Sequence, residues 1–144
     1  MRFMVIRRAD EETEAGALPS PELLAAMTKY NEELVKAGVM LDGMGLKDSS
    51  HGSLVSFEGG KPKVIDGPFT EAKELVAGFS LWECASKEEA IEWLKKWPKE
   101  DGGGNAVIEL RQVFDDADFG DALTPEIKDR LDNYREILSE KETS

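Results

Sequence analysis

Leu75-Val76-Ala77-Gly78-Phe79-Ser80-Leu81-Trp82-Glu83-Cys84 is the stretch on which the fold turns. It reads as a strand, and along a pleated strand alternate side chains go to opposite sides. Leu75, Ala77, Phe79 and Leu81 go one way, and Val76, Gly78, Ser80 and Trp82 the other. Both sides are therefore largely apolar, so a sheet holding this strand needs cover on both faces. Helices supply one cover, and a second copy of the chain is the simplest other. Gly78 weakens the strand and suits close approach of a backbone or ligand.

The neighbouring segments set the architecture. Downstream, Ser86 with Glu89 makes a capping box, Ala90, Ile91, Leu94 and Trp97 form a helical apolar face, and Pro98 stops the helix. Asp101-Gly102-Gly103-Gly104-Asn105 reads as a flexible turn. It follows a helix and precedes a strand, the reverse of a phosphate loop, and Glu100 and Asp101 flank it. Ala106 to Phe114 is a further strand. Upstream, Leu54–Phe57 and Lys63–Ile65 flank Gly59-Gly60 as a hairpin. Val39–Leu46 reads as a strand weakened by Gly43 and Gly45. Ser20-Pro21-Glu22 opens a helix whose stripe is Leu23, Met27, Tyr30 and Leu34, and Gly38 ends it. A first strand occupies residues 2 to 7, and Ala9 to Leu18 reads as a polar loop. Strand, helix, strand, hairpin, strand, helix, strand is the order of an α+β, ferredoxin-like split βαβ sheet with an inserted β-hairpin and helices on one face.

Among 144 residues, 30 acids against 18 bases leave a net charge of -12. An acidic surface repels nucleic-acid phosphates and anionic lipid, so neither is an expected partner. One Cys and one His exclude a Cys/His zinc cage or a disulfide framework. The thiol count fits a reducing cytoplasm, and no stretch reads as a membrane helix or signal peptide. Residues 1–114 hold 20 acids and 14 bases, and residues 115–144 hold 10 and 4. Half the excess charge thus sits in a C-terminal extension, whose helix opens at Thr124-Pro125-Glu126 with Ile127, Leu131, Tyr134 and Leu138 on one stripe. The expected organisation is a domain over 1–114 and an acidic, helix-bearing appendage over 115–144.

Asp66-Gly67-Pro68-Phe69, continuing through Thr70-Glu71-Ala72-Lys73-Glu74-Leu75, resembles the DGPF motif of the YCII-related family of small bacterial proteins. Met27 to Leu34, Ala90 to Trp93 and Glu109 to Val113 also resemble that family's pattern. The resemblance implies a dimeric α/β barrel built from two ferredoxin-like subunits, and an acid or base in the cleft between helices and sheet. Gly43-Met44-Gly45-Leu46 lacks a glutamate usual at that place, and His51 stands where relatives often carry Lys or Arg.

The candidate chemistry is sparse. Asp66 precedes Gly-Pro, where an aspartate commonly bonds its own backbone to set a turn, but it also places a carboxylate at a strand end beside Glu71, Lys73 and Glu74. It is the first candidate for proton transfer. His51 is the second, since histidine is the side chain suited to exchanging protons near neutrality, although Asp48-Ser49-Ser50-His51-Gly52 is also an ordinary loop. Tyr30, Glu71, Lys73, Glu74 and Arg111 are candidate ligand-binding residues; Tyr30 equally reads as core with its hydroxyl at the edge. Lys73 among the carboxylates argues against a metal, and no cofactor is implied. Two functions remain open: a dimeric accessory or ligand-binding protein with a small-molecule cleft, and an enzyme for proton transfer, isomerisation or elimination on a small polar or ring substrate with Asp66 as acid/base.

Overall fold

A computed structural model describes residues 1–69 and 74–142. The chain divides into two units, Met1–Val113 and Phe114–Ser144.

In the first unit, β1 (Arg2–Arg8), β2 (Met40–Gly45), β5 (Val76–Glu83) and β6 (Ile108–Gln112) form one antiparallel sheet in the order β2-β5-β1-β6. Helices α2 (Pro21–Lys36) and α3 (Lys87–Leu94) complete the α+β, ferredoxin-like arrangement. Among the described residues the inserted strands β3 (Ser53–Glu58) and β4 (Lys61–Asp66) pair only with each other.

The alternation of side chains selects the core. Phe3 and Val5 of β1 lie opposite Trp82 and Ser80 of β5, and all four are buried. Tyr30 and Leu34 from α2 and Ala90 from α3 join them, with Val39 and Cys84. Ser20 accepts a hydrogen bond from the Leu23 N–H at the start of α2, and Ser86 does the same for Glu89 at the start of α3. On the opposite side of the sheet Met4 and Ile6 lie beside Leu81 and Phe79, each part-exposed. The strand at Val76–Glu83 therefore does present apolar groups to both faces. Gly78 serves close approach of a backbone: a Cβ there would lie 3.2 Å from the Met44 carbonyl oxygen.

Two segments differ from the sequence expectation. Ala9 to Leu18 is not simply a loop, because Asp10 caps a short helix α1 (Glu11–Glu14): its carboxylate accepts from the Thr13 N–H at 2.9 Å and the Thr13 hydroxyl accepts from the Asp10 N–H at 2.9 Å. Asp101 to Asn105 is a 3₁₀ turn anchored at its first residue. Gly102 and Gly103 adopt left-handed conformations that fold the turn back, and Asp101 is buried. Its carboxylate takes a forked pair of hydrogen bonds from Arg7 at 3.0 and 2.8 Å and a third from the Trp97 indole at 2.9 Å.

In the second unit a 3₁₀ segment (Asp116–Ala122) precedes α4 (Pro125–Glu142). Phe114 stacks on Phe119 with ring centroids 5.1 Å apart, and Arg135 forks onto Asp116 through two 2.9 Å hydrogen bonds. The stripe residues Ile127, Tyr134 and Leu138 remain about half exposed. Among the described residues no helix is long and apolar enough to cross a membrane.

Candidate functional site

A cleft of about 430 Å³ opens in the first unit where α1, the exit of β2, a 3₁₀ turn at Ser49–His51 and the start of β5 converge. Leu46, Phe69, Leu75, Val76 and Ala77 make its apolar wall, and Thr13, Glu14, Lys47, Asp48, Ser49 and His51 its polar one. Backbone pairing holds the apolar wall: Leu46 N–H donates to the Ala77 carbonyl at 2.8 Å, and Ala9 N–H to the Leu75 carbonyl at 2.9 Å.

Ser49 ties the polar wall together. Its N–H donates to the Glu14 carboxylate, its hydroxyl accepts from the Phe69 N–H at 2.8 Å, and its carbonyl accepts from the Gly52 N–H at 3.0 Å. The Gly67 N–H donates to the Gly52 carbonyl at 2.9 Å, which lays the backbone of the Asp66-Gly67-Pro68-Phe69 turn against Ser49. A Cβ on Gly67 would overlap the Ser49 carbonyl, lying 2.6 Å from its carbon. The motif glycine is thus required by contact with the cleft wall. Further back, Arg7 reaches the α1 cap by donating to Asp10 at 3.1 Å, so the buried Arg7–Asp101 pair and α1 form one connected support.

His51 lies on the cleft with its side chain 59% exposed, and its Nε2 stands 3.6 Å from Asp48, whose side chain is 16% exposed. This i, i+3 neighbour arises from the 3₁₀ turn itself. Asp66 is elsewhere, exposed at the end of β4, where its carboxylate accepts from the Ser53 hydroxyl at 2.7 Å; it does not line the cleft. Tyr30 is buried in the core, and its hydroxyl donates to the Trp93 carbonyl at 2.7 Å. Burial, with Glu33 nearby, raises its pKa. Arg111 is exposed on β6, 3.3 Å from Glu109, which Arg8 also approaches at 3.4 Å. Glu74 is exposed, and Glu71 and Lys73 lie outside the described residues. The structure thus brings His51 to the cleft but not Asp66, Tyr30 or Arg111. Glu14 and Asp48 are cleft residues that sequence reasoning missed; the spacing of Asp48 to His51 was the available signal. Among the described residues no group of three His, Cys, Asp or Glu side chains is placed to hold a metal ion.

Tyr30→Phe tests the structural role of that hydroxyl. Its loss leaves the Trp93 carbonyl short of a donor, and urea unfolding should show a loss of about 1 kcal/mol with ligand binding unchanged.

The chain is similar to known proteins over its first unit and beyond. The YCII-related domain matches residues 1–115. An uncharacterized protein of Rhizobium meliloti (strain 1021) is 34% identical over 74 residues, 51% of this chain and 56% of the relative, so the match spans little more than half of that protein's length. Among solved structures, the chain is similar to the 5-chloro-2-hydroxyhydroquinone dehydrochlorinase of Burkholderia phenoliruptrix AC1100, in complex with 2,5-dihydroxybenzoquinone. Sequence identity is 19% and the TM-score 0.40, over 81% of this chain and 98% of that one.

Proposed function

Since the chain belongs to the YCII-related domain family, we propose that it is a small homodimeric protein whose cleft at Ser49–His51 binds a small molecule. The observation that carries this reading is the lining. An apolar wall from Leu46, Phe69 and Ala77 faces polar groups of Thr13, Asp48 and His51 across a volume suited to a single-ring compound. Among the described lining residues Lys47 is the only lysine or arginine, against Glu14 and Asp48, which disfavours a multiply charged anion.

The part-exposed row Met4, Ile6, Phe79 and Leu81 supports the homodimer, because such a sheet face is normally covered. The supporting test for the cleft is native mass spectrometry of the purified full chain, followed by a thermal-shift screen of neutral hydroxylated and aromatic ring compounds. For the compound found, His51→Ala should weaken binding at least about tenfold while leaving the melting temperature within about 1 °C. Undiminished binding by that variant counts against this cleft.

A second reading makes the same cleft catalytic, with His51 moving a proton and Asp48 orienting the imidazole from 3.6 Å. Asp66, held by the Ser53 hydroxyl at the hairpin base, then stays outside the reaction, and Asp66→Asn should leave turnover of any substrate within about twofold.

A further inference from the structure

Helix α1 is a wall of the cleft that the hydrophobic core does not hold. It is a single turn of four residues, none of them buried, and so short a helix is not stable by itself in water. Beyond it the chain runs out through Leu18, which is 90% exposed. Yet α1 gives the cleft Thr13 and Glu14. Its placement therefore comes from polar ties at its two ends.

At the first end one carboxylate has two tasks. Oδ1 of Asp10 accepts from the Thr13 N–H and starts the helix, while Oδ2 accepts from Arg7 at 3.1 Å. Arg7 is a fixed post: it also donates to both Asp101 oxygens and to the Arg8 carbonyl, and its side chain is 10% exposed. The backbone bond from Ala9 to Leu75 fixes where α1 begins, and the bond from Arg7 fixes the side chain on which its first turn is built. The Thr13 N–H, joined by Arg7, holds the Asp10 carboxyl below the ordinary carboxylate range against the opposing effect of burial. At the second end Glu14 accepts from the Ser49 N–H, and a Cβ on Gly16 would stand 3.9 Å from the Asp48 carboxylate. Ser49 in turn receives the Phe69 N–H, and Asp48 is the neighbour of His51. The contacts thus run unbroken from the buried Asp101 to the polar wall, and Asp10 passes them from the sheet to α1. We propose that Asp10, which does not line the cleft, is a positioning residue for it: through α1 and Glu14 it holds the Ser49–His51 turn in the geometry that binds. The inference rests on the cleft reading above and adds what keeps that cleft in shape.

Asp10→Asn separates the two tasks. Asparagine caps a helix as well as aspartate does, but it offers one oxygen where the carboxylate uses two, so the cap and the Arg7 bond are not both kept. In hydrogen exchange followed by NMR on the full chain, the Ser49 and Phe69 amides of Asp10→Asn should exchange about tenfold faster than in the wild type, with the amides of β1 and β5 within about twofold. Binding of phenol, read from the shifts of the same two amides at up to about 10 mM, should weaken about tenfold. Glu14→Ala cuts the tie at the other end of α1 and should speed the same exchange. Because Asp10 acts through Glu14, the double variant should be no faster than the quicker single variant, whereas general loosening of the fold would multiply the two effects. Multiplied effects, Asp10→Asn amides that exchange as in the wild type, or phenol affinity kept within about twofold each overturn the positioning role while leaving the cleft in place. Phenol that shifts neither amide in the wild type overturns the cleft reading and this one with it.

Discussion

Gly67→Ala should destabilise the first unit by at least about 3 kcal/mol, roughly 10 °C in melting temperature, and abolish ligand binding in whatever fraction stays folded. The methyl has nowhere to go, because the atoms it meets are the backbone carbonyl of Ser49 and not the end of a flexible side chain. Ser49 cannot retreat cheaply. Moving it breaks its bonds with Glu14, Phe69 and Gly52 together, and these three bonds define the polar wall of the cleft. Gly45→Ala is the matched comparison, since a Cβ there meets nothing within 4 Å and Gly45 has no left-handed backbone to strain; its cost should stay below about 1 kcal/mol. Calorimetry of both variants decides the point, and a Gly67→Ala protein melting within 2 °C of wild type would remove the steric account.

Asp101→Ala should cost about 3–5 kcal/mol in urea unfolding, because it strands Arg7, whose side chain is only 10% exposed, without its main counter-charge. The double variant Arg7→Met/Asp101→Leu should recover most of that loss, since apolar groups of similar volume replace a buried ion pair at little cost. A double variant as unstable as Asp101→Ala would show that the pair does more than neutralise itself. The pH dependence follows from the same geometry. Burial pushes the Asp101 carboxyl up, but hydrogen bonds from Arg7 and Trp97 and the charge of Arg7 outweigh it, so the folded-state pKa lies below the ordinary carboxylate value. Hydrogen bonding to Asp101, opposed by burial, correspondingly raises the pKa of Arg7. The unfolded state therefore binds the proton more readily. The stabilisation is complete above the unfolded value near 4 and fades as pH falls through the lower folded value. Acid titration of the wild type should show this loss, and the double variant should show a shallower one.

The elements legible in the sequence were those with a local cause. Ser20-Pro21 and Ser86 with Glu89 announce their helices by capping, and the alternation in Val76–Glu83 announces a strand facing two ways. Asp101 was not legible as a buried anchor, because a run of three glycines reads as freedom until the partner at Arg7 is known, and no local window contains both. The cleft was only half legible for a similar reason. The aspartate of the DGPF stretch draws attention, yet its glycine is the residue pressed against the cleft wall, while Glu14 comes from a segment that carries no chemical signature and Asp48 is marked only by its three-residue spacing to His51. Glu14 is placed by a capping exchange between Asp10 and Thr13 that keeps the usual N-cap-to-N3 spacing but replaces the usual Ser/Thr and Glu/Gln with other residues.

The position of β1 has a consequence for how the chain comes to be folded. Of the sheet's four strands this one is made before the others, and it ends in the middle of the sheet, paired on one side with β5 and on the other with β6. Arg7 likewise waits for Asp101, 94 residues later. Through the synthesis of α2, β2 and the hairpin, the nascent first half has no central strand pair on which to condense, so its loop-closure entropy falls due in one late step. The first unit should accordingly begin to build its sheet and its cleft together only after Glu83 has emerged, with β6 added to the far side of β1 last.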